Sequence, residues 1–217
     1  MIKYDTILFD LDGTLTEPKK GITRSFQYAL KKFGIIEENM EVLLSFIGPP
    51  LKSTFINHYG FNEKKAWEAV VYYREYFTEK GMFENEVFLG ISEMLHELKG
   101  NGKRVLLATS KASIYSDRIL EYFNIRAYFD YIVGSNLDGT RAEKNEVISY
   151  ALSLLDNKDN YTPVMVGDRK HDIIGAQQVG IDSIAVTYGY GLRQELEEAG
   201  ATHILDTVDE LKKFLLD

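Results

Sequence analysis

From residue 92 to residue 186 short apolar runs alternate with amphipathic stretches, and no other feature narrows the fold as far. Residues 105–108, 131–133, 164–166 and 183–186 are apolar runs of strand length. Residues 92–99, 115–123, 145–155 and 173–179 carry apolar side chains at helical spacing. Such alternation predicts a parallel, doubly wound α/β sheet, because parallel neighbours need a crossover element to bring the chain back. Unbroken apolar runs suit strands covered on both faces. Residues 7–9 predict one more such strand near the start, and two short segments finish the chain.

Residues 17–82 depart from this pattern. Ile22, Phe26, Ala29, Leu30 and Phe33 fall on one face of a helix over 21–33, with Gly34 as its C-cap. Residues 40–46 continue in helical style, and 63–80 predict a long helix carrying Trp67, Val70, Val71, Tyr73, Arg74 and Phe77. Between them Ile47-Gly48-Pro49-Pro50-Leu51 predicts a loop. The expected organisation is a Rossmann-like α/β core from residues 1–16 and 83–217, with an all-helical domain inserted at 17–82.

The insertion follows Phe9-Asp10-Leu11-Asp12-Gly13-Thr14-Leu15. Two carboxylates one residue apart stand where the first strand runs out, and the carboxyl ends of such strands are where open α/β sheets bind ligands. Like charges held close raise each other's pKa, and a bound cation removes that penalty. Alone, the Asp-Gly pair equally suits a surface turn. Other strand ends also carry polar groups. The 105–108 run leads into Thr109-Ser110-Lys111, and the 164–166 run into Gly167-Asp168 with Asp172 beyond. Lys144 opens the helix after the third run. All are compatible with one cation and one phosphate, the latter favoured by a helix N-terminus.

Composition removes other classes. A net charge of −8 and a pI near 5.1 argue against nucleic acid or an anionic membrane as partner. Cysteine is absent, which excludes a disulfide frame and a thiolate nucleophile. No basic leader or spanning apolar segment is read, so a cytoplasmic protein, monomer or homodimer, is expected.

Taken together, these motifs resemble the haloacid dehalogenase superfamily of aspartate-nucleophile phosphotransferases, in its phosphoglycolate-phosphatase-like branch. Asp10, Asp12 and Thr14 match its Asp-x-Asp-x-Thr motif. Thr109 matches its strand-end hydroxyl, Lys144 its lysine, and Gly167, Asp168 and Asp172 its Gly-Asp-x-x-x-Asp motif. Asn145 stands where relatives often have proline, and Lys103, Lys111 and Lys170 are neighbouring lysines. The insertion occupies the place of that branch's cap.

The resemblance implies a Mg²⁺-dependent phosphatase of a small phosphomonoester. Asp10 would be the nucleophile and form an aspartyl phosphate. Asp12 would be the proton carrier, with Thr109 and Lys144 on the phosphoryl oxygens and Ser110 in support. The metal ligands implied are the Asp10 carboxylate, the Asp12 carbonyl and Asp168, with Asp172 alongside. Relatives that dehalogenate lack the second aspartate, so Asp12 favours phosphoryl chemistry. Arg24 and Lys52 are candidate contacts for a substrate's other anionic group, while Tyr72, Tyr73, Tyr76 and Phe77 are expected in the cap core. His171 and the Tyr188-Gly189-Tyr190-Gly191 loop, expected near the pocket mouth, receive no catalytic role. Phosphoglycolate and nucleoside 5′-monophosphates are the first candidate substrates. The competing readings are a phosphomutase and a catalytically silent binding protein.

Overall fold

The computed structural model describes residues 4–156 and 161–217. The reading of a chain start without a basic leader falls largely on residues 1–3 and lies outside the described residues. The described chain forms two compact units. One comprises residues up to Glu17 together with Val87–Asp217, and the other is Pro18–Glu86.

The first unit is built on six strands: β1 (Thr6–Phe9), β4 (Arg104–Ala112), β5 (Tyr131–Ser135), β6 (Pro163–Gly167), β7 (Asp182–Val186) and β8 (His203–Leu205). Their order is β5-β4-β1-β6-β7-β8, with every pairing parallel. The chain leaves through the two-residue β2 (Thr16–Glu17) and returns through β3 (Glu86–Val87). The helices are α5 (Ile91–Gly100), α6 (Ser113–Tyr122), α7 (Lys144–Ser153), α8 (Lys170–Val179), α9 (Arg193–Glu198) and α10 (Val208–Leu216). The tail therefore holds a helix, a strand and a helix rather than two segments. At three residues, β8 is too short to announce itself by alternation.

β1 is central because its side chains are apolar on both faces. Leu8 lies in register with Leu106 and Met165, and all three join a core with Val133, Val147, Ile148 and Ala176. Ile7 and Phe9 point the other way, level with Val105 and Leu107 on one side and Val164 and Val166 on the other. All of these strand side chains are essentially inaccessible to water. Each such burial stabilises the fold by ~1.5–3 kcal/mol. The order reverses at β1, which makes the carboxyl ends of β1 and β6 the switch point of the sheet.

β4 runs further than the apolar run suggests. Ala108 pairs with Val133 and Ala112 with Ser135, so four steps along β4 match two along β5. This bulge carries Thr109, Ser110 and Lys111 within the strand and re-aims their side chains. Opposite it, an added Cβ on Gly134 would lie 2.1 Å from the Lys111 carbonyl oxygen, so only glycine admits the bulged backbone.

The second unit contains α1 (Lys19–Lys31), α2 (Met40–Ser45), α3 (Leu51–Tyr59), α4 (Glu63–Glu79) and a 3₁₀ turn at Gly81–Phe83. Asn39 and Asn62 cap α2 and α4 by accepting from the Val42 and Glu41 amides and from the Lys65 amide. α3 is not legible beforehand because the Gly-Pro-Pro breaker dominates its start. Pro50 is its N-cap and needs no amide there, while Gly60, with φ of +65°, ends it. Phe26 centres the core, its ring 4.9 Å from Phe46, 5.2 Å from Phe55 and 5.1 Å from Tyr73. Tyr73 and Phe77 are buried, as expected, but Tyr72 and Tyr76 lie at the rim, donating to Glu68 and Glu84. None of the described helices is long and apolar enough to cross a membrane.

Gly21 gives a test in which packing opposes helix propensity. It lies within α1, where alanine is favoured by about 1 kcal/mol, yet an added Cβ would sit 1.8 Å from the Gly81 carbonyl oxygen. Gly21→Ala should lower stability by ~1–3 kcal/mol through overpacking. Gly100→Ala, at the end of α5 with no atom within 4 Å of the added carbon, should raise it by about 0.4–1 kcal/mol. Thermal unfolding followed by circular dichroism separates the two, and a neutral Gly21→Ala would contradict this close approach.

Candidate active site

Asp10 continues β1 by one residue and donates its amide to the Val166 carbonyl, 2.9 Å away on β6. Gly13, with φ of +83°, then turns the chain. A side chain there would meet Asp168 Oδ2 at 2.3 Å and the Tyr190 ring at 2.7 Å, so the turn is closed to other residues on two grounds. Thr14, fully buried, donates to Asp168 Oδ1 at 3.1 Å. The first and fourth motifs thus meet through a direct hydrogen bond between side chains.

Asp168 follows β6 directly, and Asp172 lies in the first turn of α8, where the Arg169 amide donates to its Oδ2 at 3.1 Å. Asp10, Asp168 and Asp172, all buried, each offer a carboxylate oxygen within 4.8 Å of the others. Lys144 is the first residue of α7, a position where the helix dipole disfavours a cation. The carboxylates outweigh that effect. Its ammonium lies 2.9 Å from Asp10 Oδ1 and 2.7 Å from Asp172 Oδ1, and donates to the Ala108 carbonyl at 3.2 Å. Burial alone would lower the Lys144 pKa, but Asp10 and Asp172 overcome it and the net direction is up. Gly175 of α8 makes room for the lysine stem, since a Cβ there would lie 2.9 Å from it.

Asp12 stands apart from the trio. Its Oδ2 is 2.7 Å from the Lys111 ammonium, and its Oδ1, also buried, accepts no hydrogen bond. Thr109 is buried two positions past Leu107, the β4 partner of Phe9, and its hydroxyl accepts the Lys111 amide at 3.3 Å. Ser110, half-buried, follows on the same bulge. Lys103 belongs elsewhere: its ammonium donates to the Tyr4 carbonyl at 2.6 Å, at the amino ends of β1 and β4. Lys170 is exposed. Arg24 and Lys52 belong to the helical unit, where they form ion pairs with Glu84 and Glu63, and Lys52 also lies 5.3 Å from the Trp67 ring centre.

One supporting contact is missing from the sequence reading. The Tyr190 amide donates to Asp168 Oδ2 at 2.8 Å, and the Tyr190 hydroxyl bonds Glu17. The Tyr188 hydroxyl donates to the Thr14 carbonyl at 3.0 Å. The loop therefore wraps Asp168 itself. Its alternating glycines were the available signal, since a Cβ on Gly189 would lie 2.4 Å from Asp168 Cβ and one on Gly191 2.0 Å from its carbonyl oxygen.

The charge balance states what this arrangement needs. Four buried carboxylates (Asp10, Asp12, Asp168, Asp172) face two ammonium groups, the buried Lys144 and the half-buried Lys111. Arg169 also bears on Asp168, but its guanidinium is paired with Glu195 at 2.9 Å. Burial, then the charges of Asp172 and Asp10, push the Asp168 pKa well up. Burial likewise raises Asp12 and Asp172 against the pull of their lysines. An uncompensated buried carboxylate is expensive, and a hard divalent cation among oxygen donors relieves it. The donor set, all oxygen and doubly negative in excess, fits such an ion.

Comparison with known proteins agrees with this geometry. The family model for haloacid dehalogenase-like hydrolases matches residues 7–186. A 5′-nucleotidase of Pseudomonas aeruginosa is 45% identical over 216 residues, covering 99% of this chain and 96% of that one. Tyrosine-protein kinase PtkA of Mycobacterium tuberculosis is 38% identical over 211 residues, covering 96% of this chain and 72% of that one. The crystal structure of a predicted phosphatase from Clostridium acetobutylicum superposes with a TM-score of 0.94 at 47% identity, covering 99% of both chains. The chain belongs to the haloacid dehalogenase-like hydrolase family, as one of its phosphatases.

Proposed function

We propose that this phosphatase is Mg²⁺-dependent and hydrolyses nucleoside 5′-monophosphates through a phosphorylated Asp10. The observation that carries the metal is the convergence of three buried carboxylates with a surplus of negative charge. The substrate is supported by the 45%-identical 5′-nucleotidase. Phosphoglycolate is the second phosphomonoester to try.

Asp10, Asp168 and Asp172, with the Asp12 carbonyl, are the groups that would hold Mg²⁺. When bound, the ion supplies positive charge against the repulsion between a carboxylate nucleophile and a phosphate dianion. Asp10 is the attacking group, and attack splits hydrolysis into two steps with an acyl phosphate between them. Lys144 holds Asp10 in place through the 2.9 Å contact with its Oδ1, and shares the charge on the phosphoryl oxygens with the Thr109 and Ser110 hydroxyls. Asp12 gives a proton to the leaving oxygen and later takes one from water. The resemblance makes the helical unit the candidate for reading the leaving group. Arg24 and Lys52 are its candidate contacts, and a substrate anion would take the place of Glu84 or Glu63. A second reading, transfer to a phenol rather than water, is favoured by the 38% identity to a tyrosine-protein kinase. Steady release of phosphate from a nucleotide distinguishes hydrolysis from such transfer, and from a mutase.

Removing the metal gives the first test. Chelation should abolish activity, Mg²⁺ should restore it, and Ca²⁺, with its looser and higher coordination, should not. Binding should also be visible without turnover. Mg²⁺ at a hundred times its Kd stabilises the folded chain by ~2.7 kcal/mol, which a melting curve reads directly. Full activity in excess chelator would overturn the metal reading.

The cap contacts are tested by substrate comparison. Arg24→Ala or Lys52→Ala should raise KM for a nucleotide roughly tenfold and leave nitrophenyl phosphate nearly unchanged, as loss of uniform binding requires. Equal effects on both esters would assign these residues to the cap's own packing.

Asp12→Asn separates the two half-reactions. Nitrophenolate leaves with little help, whereas a ribose alkoxide needs a proton, so the first step should slow by ~10²–10⁴-fold for the nucleotide and only mildly for the aryl ester. Hydrolysis of the acyl phosphate needs an activated water in both cases. Rapid quench with the aryl ester should therefore show a near-stoichiometric nitrophenol burst followed by slow turnover. Equal slowing of the first step, with no burst, would mean that Asp12 serves the metal site instead.

A further inference from the structure

We infer that Lys111 is a positioning residue for Asp12, gripping its Oδ2 and leaving Oδ1 as the oxygen that exchanges the proton. This rests on the reading of Asp12 as the proton carrier, and it concerns a lysine outside the matched motifs.

The grip is built by the fold rather than by a chance surface encounter. The Lys111 side chain is 9% exposed and that of Asp12 11%, with 2.7 Å between ammonium and carboxylate. Long lysine side chains normally keep their heads in water, so this burial requires a partner. The two strands that frame Lys111 are both modified to place it. β4 carries its bulge between Ala108 and Ala112, and β5 carries Gly134 against the Lys111 carbonyl. The Ser113 hydroxyl closes the arrangement by accepting the Gly134 amide at 2.8 Å.

The division of labour between the lysines supports the same conclusion. Lys144 lies on Asp10 and Asp172, and Asp168 is held by the Thr14 hydroxyl and the Tyr190 amide. Asp12 has neither support, and Lys111 is the side chain that holds it. Held by one oxygen, a carboxylate loses the freedom to rotate about χ2, and its two oxygens cease to be equivalent. The one left without a hydrogen bond is Oδ1. A proton carrier must serve the leaving oxygen first and water second, so an orientation kept across both steps is worth more to it than to a group that acts once.

A double-mutant cycle with Asp12→Asn tests this. Lys111→Met removes the ammonium and keeps the apolar stem. It should slow nucleotide turnover ~10–100-fold, while the first step with the aryl ester, read by rapid quench, stays within about threefold and KM for both esters changes by less than about threefold. In the Asp12→Asn background the same substitution should cost less than about threefold more, because a residue that acts through Asp12 has nothing left to position. Lys111→Arg, which keeps a cation, should recover most of the loss. If Lys111→Met melts below the assay temperature, Lys111→Gln, which removes the charge and keeps a polar amide, takes its place in the cycle. Losses that multiply in the double mutant, or a raised KM at unchanged kcat, would overturn the inference and make Lys111 a direct substrate contact. If Asp12→Asn alone shows no dependence on leaving group, the proton-carrier reading falls, and this inference with it. If Asp12→Asn behaves as expected but Lys111→Met is silent, only the inference falls.

Discussion

Asp10, Asp12, Asp168 and Asp172 are taken out of water together, and the core unit is arranged around keeping them there. Every carboxylate has a means of support. Lys144 spans two of them, Lys111 holds a third, and a hydroxyl and a backbone amide serve Asp168. These supports reduce the penalty of burial without removing it, because the lysines supply half the charge required. The remainder is what gives the site its appetite for a hard cation. Backbone brought against Asp168 at Gly13, Gly189 and Gly191 excludes water, which strengthens every charge interaction that follows.

Much of this was legible in the chain, for identifiable reasons. Parallel strands buried on both faces read as unbroken apolar runs, so β1, β4, β6 and β7 declare themselves. The acidic pair after β1 equally suits a turn when taken alone, and becomes legible as a site because Asp168 and Asp172 repeat the signal on β6. What the sequence leaves open depends on events between strands. The bulge on β4 follows from its register with β5, which neither strand encodes alone. Lys103, Lys111 and Lys144 look alike as letters. Only the fold sends the first to Tyr4 at the amino ends of the strands and the other two to carboxylates at the opposite ends. The Tyr190 amide is a backbone group and leaves no mark of its own beyond the glycines that flank the residue.

The helical unit obeys different rules. Its stability rests on aromatic packing about Phe26 and on asparagine caps, all drawn from nearby sequence. A change on its outer helices can therefore alter what it contacts while leaving the strand ends of the core untouched. Such a separation lets substrate contacts vary without disturbing the groups at the strand ends.

The central position of β1 has a consequence for how the site comes into being. Thr6 lies in register with Arg104 on one side and Pro163 on the other, so the strand that leads to Asp10 finds its neighbours only after most of the chain is available. Such long-range pairings close slowly, whereas the helices inserted between them are local and form without waiting. The repulsion between Asp10 on one side and Asp168 and Asp172 on the other is absent until β6 comes alongside β1. The electrostatic burden of joining the two motifs therefore falls in the same step that completes the apolar core, since Met165 of β6 packs in one cluster with Leu8 of β1.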